Sequence, residues 1–285
     1  MDSVSTVRSV HSRIVVLENK MKKFRIKKYQ IYTNKIRNPE GIRFVLLADL
    51  HGFSYGRDNA GLIEAIRREK PDAVLSAGDM AVRTCPDTLV TACKLLKELA
   101  QYFPVYYALG NHEYKMSLSE ENGKQYRIYE KTLKKAGVHI LRNEHERAIL
   151  KGNSICFWGL ELPIEYYHKP RSPKLKKEVM EKLIGKPGRN GMQVLLAHNP
   201  KYGKTYYEWG ADMILSGHYH GGVVRFSEHH GLSSPQYLVL PPFCCGDFHK
   251  GNQHMFVSAG LGEHTLPLRI HNPRELLVID VKPSE

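Results

Sequence analysis

Five short apolar runs in this chain each stop at residues able to hold a cation. That repetition constrains the fold more than any other feature of the sequence. Ile42 to Ala48 leads into Asp49-Leu50-His51, Ala73 to Ser76 into Gly78-Asp79, and Val105 to Leu109 into Gly110-Asn111-His112-Glu113. Met192 to Ala197 leads into His198, and Ala211 to Ser216 into Gly217-His218-Tyr219-His220-Gly221-Gly222. Nearly continuous apolar runs of this length read as strands buried on both faces. Helical patterns fall between the first of them, over residues 59–70, 86–101 and 120–136, which is the element order of an α/β fold. In such sheets ligands bind outside the carboxyl ends of the strands, so residues far apart in sequence are expected to converge there. One strand-end Asp is an ordinary cap, and His218-x-His220 by itself reads as a polar turn. Five such ends in one chain are not explained by capping.

The set offers carboxylate, amide and imidazole groups but no thiolate, and Asp49, His51, Asp79, Asn111, His198, His218 and His220 together suit two cations that share one carboxylate. Two-metal sites with ions about 3.5–4 Å apart serve in-line displacement at phosphorus. Glycines beside His218 and His220 allow the sharp turn that would bring both rings to one centre.

Asp49-x-His51, Gly78-Asp79, Gly110-Asn111-His112-Glu113, His198 and Gly217-His218-x-His220 resemble, in content and order, the signature of the calcineurin-like metallophosphoesterases. Gly221 to Arg225, Val257 to Gly262, Pro267 to Ile270 and Pro273 to Leu276 are similar to the bacterial YkuE-like branch. The resemblance implies a four-layer α/β/β/α sandwich, with two mixed sheets flanked by helices. It also implies two divalent ions (Mn, Fe or Zn). Asp49, His51 and His220 would hold the first, and Asn111, His198 and His218 the second, with Asp79 bridging both. The implied activity is hydrolysis of a phosphodiester, phosphomonoester or pyrophosphate of a small or lipid-linked substrate, by water that the two ions activate. His112 would serve as the catalytic group, protonating the leaving oxygen or stabilising the transition state.

The chain departs from the pattern at one point. Protein serine/threonine phosphatases of this superfamily follow the bridging Asp with x-x-Asp-Arg-Gly, whereas here the sequence reads Asp79-Met80-Ala81-Val82-Arg83-Thr84. A protein phosphatase is therefore disfavoured, and no residue is in evidence to orient His112. Arg83 is either a substrate phosphate contact or a solvent-facing turn residue, and Glu113 reads as a supporting residue. Tyr166, Tyr167, His168, Lys169 and Arg171 form either a substrate-recognition loop or a basic solvated one.

Charge and cysteines narrow the setting. With 42 Lys and Arg against 29 Asp and Glu the net charge is +13, which suits a phosphate-bearing partner: a phosphate-ester substrate, nucleic acid or anionic lipid. A metal-dependent nuclease is the alternative enzyme, and a non-catalytic scaffold of the same fold the alternative outside enzymes. The five cysteines include the adjacent pair Cys244-Cys245 and show no disulfide framework, so a reducing, cytoplasmic setting is expected. No run approaches the roughly 20 apolar residues of a membrane span. Residues 1–23 carry Val7, Val10, Ile14, Leu17 and Met21 at helical spacing among Arg8, Arg13, Lys20, Lys22 and Lys23. This is the pattern of a basic amphipathic helix, which would rest on an anionic membrane surface, making the protein peripheral to it, or dock on its own domain or a partner. Residues 24–285 show no linker-like shift and are expected to form one metallophosphoesterase domain. Strands are expected over residues 24–33, 138–141, 154–159, 237–240, 255–259 and 276–281, and helices over 173–184 and 202–209.

Overall fold

A computed structural model describes residues 23–263 and 268–284. The amphipathic pattern of residues 1–23 therefore lies outside the described residues except for Lys23. The first half of the chain runs β1 (Arg25–Thr33), β2 (Ile42–Leu47), α1 (Ala60–Glu69), β3 (Ala73–Ser76), α2 (Thr88–Leu99), β4 (Val105–Ala108), α3 (Asn111–Leu118), α4 (Gly123–Lys135) and β5 (Val138–Leu141). The second half runs β6 (Glu144–Leu150), β7 (Asn153–Leu160), α5 (Lys177–Ile184), β8 (Met192–Ala197), α6 (Gly203–Trp209), β9 (Met213–Ser216), β10 (Gly246–Lys250), β11 (Gln253–Val257) and β12 (Glu275–Pro283).

These strands form two six-stranded mixed sheets, ordered β1-β12-β2-β3-β4-β5 and β10-β11-β9-β8-β7-β6. β2 shows why the sheets stack. Phe44 and Leu46 point into the space between the sheets, while Val45 and Leu47 point towards α1, α2 and α4, the period-two alternation of a strand buried on both faces. The inter-sheet layer is closed by Phe157, whose ring stacks on Tyr106 at 3.9 Å and meets Phe44 edge-on at 5.9 Å. On the far side of the second sheet α5 and α6 cover Trp158, Leu195 and Ile214. The four layers are thus helix, sheet, sheet, helix. β2 to β5 run parallel, as do β7, β8, β9 and β11, so the carboxyl ends of the strands within each set lie together.

Two local expectations change, those over residues 237–240 and 173–184, and three elements, α3, β6 and β10, had no expectation to meet. Residues 237–240 form no strand; Ser233 and Val239 make only an isolated bridge, because Tyr237 and Leu240 adopt φ of 61° and 48°, which break the pleat. α3 starts directly at Asn111, where the strand-end motif gave no helical period, and α5 begins at Lys177 because the preceding Lys176 is extended. β6 and β10 are polar, partly exposed strands without an apolar run to announce them. No helix among the described residues is long and apolar enough to cross a membrane.

Candidate metal centre

The loops after β2, β3 and β9 turn back sharply, and the turn residues are the candidate ligands themselves. Asp49, His51, Asp79, His218 and His220 all have positive φ, between 50° and 70°. Side chains other than glycine rarely adopt that region, and a cluster of them marks a site where strain is held by its surroundings. Backbone hydrogen bonds supply the hold: Asp49 N–H donates to Gly78 O at 2.9 Å, His51 N–H to Asp79 O at 3.1 Å, and Gly217 N–H to His198 O at 3.0 Å. Glycine is required where these loops touch, since a Cβ at Gly110 would fall on the Asp79 carboxylate and one at Gly217 on that of Asp49.

Glu113 locks the arrangement from below. Its buried carboxylate accepts from the backbone N–H groups of Asp79 at 3.0 Å, Ala81 at 2.9 Å and Gly110 at 3.1 Å. One side chain thereby caps the start of α3 and fixes the loop that carries Asp79. Asp49 is held similarly, both its oxygens accepting from His218 N–H at 3.0 Å.

Five strand ends converge as a result. Single ligating atoms of Asp49, His51 and His220 lie within 4.8 Å of one another, as do those of Asp79, His198 and His218, and those of His51, Asp79 and His112. Asp79 joins the sets: its Oδ2 is 3.0 Å from His198 Nε2 and 3.7 Å from His51 Nε2. Asn111 Oδ1 is buried without a hydrogen-bond partner, and a desolvated carbonyl oxygen of this kind is costly unless something electropositive faces it. An oxygen and imidazole donor set, two oxygen-nitrogen groups and an orphaned carbonyl fit a pair of divalent cations.

The electrostatics of the ion-free chain show the same demand. Burial pushes the Asp49 carboxyl up to about 7, with His198 pulling it down and Asp79 pushing it further up. Burial acts against Asp79 as well, but His198, His112 and His51 outweigh it and hold its carboxyl well below the usual range. Burial also lowers His198, yet the carboxylates of Asp79 and Asp49 raise it to about 9. Cations placed among these groups would displace that proton.

Two histidines are set in opposite tautomers by their backbone partners. His198 Nδ1 donates to Ala77 O at 2.7 Å, leaving the Nε2 lone pair for the site, the usual arrangement of a ligating imidazole. His112 Nδ1 instead accepts from Arg83 N–H at 2.9 Å, so its proton sits on Nε2 and the ring is a donor. Burial lowers the pKa of His112 and favours this neutral form. The group that orients His112 is therefore a main-chain amide, while the Arg83 side chain stands exposed at the rim.

Further residues support the centre. Arg269 donates to Ala259 O and Gly262 O, at 2.9 and 2.7 Å, and its Nη2 lies 3.3 Å from His220 Nδ1. Asn272 Nδ2 donates to His220 O at 2.6 Å and also to Gly222 O. Tyr167 sets its ring 5.4 Å from that of His218, and Gln236 ties the Tyr166–His168 turn to the segment that follows His220. Arg269 falls within the Pro267 to Ile270 motif; Asn272 and Gln236 had nothing to mark them. A separate group, Glu228, His229 and Asp247, lies outside this centre, and Lys27 already pairs with Glu228.

Residues 42–222, the stretch that carries all five strand ends, match the calcineurin-like phosphoesterase family. An uncharacterized metallophosphoesterase of Aquifex aeolicus is 26% identical over 260 residues, spanning 90% of this chain and 92% of that protein. The uncharacterized metallophosphoesterase YkuE of Bacillus subtilis is 24% identical over 260 residues, spanning 86% of this chain and 80% of that protein. Among solved structures, phosphopantetheinyl hydrolase from Mycobacterium tuberculosis superposes with a TM-score of 0.46 at 13% identity, over 79% of this chain and 92% of that one.

Proposed function

For this chain, which belongs to the calcineurin-like phosphoesterase family and is a metal-dependent phosphoester hydrolase, we propose a dinuclear centre that cleaves phosphodiesters in preference to monoesters. Asp49, His51 and His220 would hold one ion and Asn111, His198 and His218 the other, with Asp79 shared between them. The observation that carries this reading is the pair of ligand groups, Asp49-His51-His220 and Asp79-His198-His218, with Asp79 also within reach of His51. Mn, Fe and Zn all suit the donor set.

When bound, the two ions supply Lewis acidity and a water acidic enough to attack phosphorus at neutral pH. The chain's own residues do the rest. Asn111 contributes an oxygen without negative charge, which keeps the centre cationic enough to attract a phosphate. Backbone bonds to Asp49 and the Glu113 bonds around Asp79 hold the carboxylates in place before substrate arrives, so little reorganisation accompanies the reaction. His112 presents an Nε2 proton to the departing ester oxygen, and the Arg83 amide on Nδ1 keeps the ring in that tautomer. Tyr167 walls the His218 side.

A comparison of bis(p-nitrophenyl) phosphate with p-nitrophenyl phosphate under Mn²⁺ tests the reading. The diester is expected to be hydrolysed faster. A chain inert towards both esters, or one that prefers the monoester, contradicts it.

A further inference from the structure

Seven of the thirteen large apolar side chains exposed among the described residues lie between Phe226 and Ile270, in one small cap beside the metal centre. The other six are scattered from β1 to β6. Within the cap the exposed residues sit on neighbouring rungs of backbone. Val224 pairs with Ile270, Leu232 N–H donates to Val224 O at 2.8 Å, and Leu240 N–H donates to Leu232 O at 2.9 Å. The turn between Leu232 and Leu240 is tied by Tyr237 N–H to Ser234 O and by Ser234 N–H to Leu238 O, both at 3.0 Å. At its tip Tyr237 and Val239 are 70% and 74% exposed. Tyr237 and Leu240 also have positive φ, a conformation that costs on the order of 1–3 kcal/mol per residue and persists where surroundings or function demand it. A fixed, strained turn that holds Tyr, Val and Leu out in water is not explained by packing. Contiguous exposed apolar surface of this kind marks a site of interaction.

Two further observations identify what it meets. The cap is continuous with the metal centre: Asn199, next to His198, donates to Gln236 at 3.1 Å, Gln236 donates to the carbonyls of Tyr166 and His168, and Leu268 adjoins Arg269 at His220. Cations stand beside both the centre and the tip. Arg83, whose N–H donates to His112 Nδ1, has an exposed side chain. Lys169 lies 5.2 Å from the centre of the Tyr237 ring.

We propose that this rim seats the centre on an anionic bilayer. The ester cleaved there is an amphiphile, with its phosphate at the floor and its hydrocarbon against Leu232, Tyr237, Val239 and Leu240. This rests on the phosphoesterase reading above. Apolar side chains entering the interface and lysines attracted to anionic headgroups act together in such binding, and neither is sufficient alone.

Two soluble probes and one surface test it, with the full chain and Mn²⁺ throughout. Methyl and dodecyl p-nitrophenyl phosphate undergo the same step: water adds at phosphorus, the bond to p-nitrophenolate breaks, and the alkyl phosphate remains. The dodecyl ester is expected to have kcat/KM at least about tenfold higher. Wild-type chain is expected to sediment with phosphatidylcholine vesicles containing about one-fifth phosphatidylglycerol and not with phosphatidylcholine alone. Val239→Ser/Leu240→Ser should bring the two esters to within about threefold of each other and cut sedimentation about fivefold. Should that variant misfold, Lys169→Glu provides a second arm, with reduced sedimentation on the anionic vesicles. Equal kcat/KM for the two wild-type esters, vesicle binding retained in both variants, or a wild-type dimer that the cap variant dissolves would each overturn the proposal. Loss of hydrolysis on both esters would strike the phosphoesterase reading itself, whereas vesicle sedimentation reads the surface without any turnover.

Discussion

The floor of the site and its rim are built in opposite ways. On the floor, Asp49, Asp79, Asn111, His198, His218 and His220 are all less than a tenth exposed, clamped by glycines and by hydrogen bonds to the main chain. At the rim, Tyr237, Val239, Leu240 and Lys169 stand in water on irregular loops. The floor uses strand ends because rigid parallel strands fix atoms to a fraction of an ångström, which chemistry at phosphorus needs. The rim uses loops because recognition of a substrate tolerates variation in position. Changes to the floor should therefore be severe and changes to the rim mild, and that contrast can be broken by experiment.

Asp79→Asn is the sharpest break. Losing the shared carboxylate should lower kcat/KM for bis(p-nitrophenyl) phosphate by about 10³-fold or more, equivalent to roughly 4 kcal/mol. Measured activity within tenfold of wild type would remove Asp79 from the bridge. Glu113→Ala comes next. It leaves three buried N–H groups without an acceptor, so roughly 3–5 kcal/mol of stability should be lost, seen as a fall of about 10 °C in Tm. A Tm within 2 °C or so of wild type would show that the loops hold themselves.

His112→Asn should lower kcat about 10²-fold while the bound ions remain. Metal content that falls together with kcat would instead make His112 a ligand, contrary to the tautomer set by Arg83 N–H. The ion-free floor should also be sensitive to alkali. Asp49, pushed up mainly by burial to about 7, and His198, which burial lowers but the carboxylates raise to about 9, both have folded pKa values above their ordinary ones. Such groups add stability that is complete below their ordinary pKa and is lost as pH rises through the folded one. The gain from Asp79, held low, is already complete above the ordinary carboxylate range. The chelated chain should therefore lose Tm steadily from pH 6 to pH 9, and Mn²⁺ should raise Tm more at the alkaline end; a flat profile would show that these groups are not facing one another. Smallest of all, Val239→Ser/Leu240→Ser should change stability by no more than about 0.5 kcal/mol for each exposed residue, read by urea unfolding. A larger loss would make the cap part of the core.

The same contrast governs what could be read from the sequence. The strand ends were legible because a buried strand writes an apolar run, and the residue that stops it stands out. Glu113 was legible as a supporting residue but not as the acceptor for three main-chain N–H groups, since two of those partners, Asp79 and Ala81, lie 34 and 32 residues away. The group that orients His112 was invisible for a deeper reason: a main-chain N–H carries no residue identity, and Arg83 was weighed only for its guanidinium. The cap misled outright. Tyr237 to Leu240 has the composition of a strand, and nothing in the sequence shows that two of its residues take positive φ and point their side chains at solvent. Arg269 and Asn272 reach the His220 loop only through tertiary structure.

One titration tests the proposal that two ions share the Asp79 carboxylate. Metal-free chain at a concentration well above its affinity should gain hydrolysis of bis(p-nitrophenyl) phosphate as Mn²⁺ is added, and the gain should stop at two ions per chain. Saturation at one ion per chain, or full hydrolysis with none, would contradict a centre in which Asp79 joins two ligand sets.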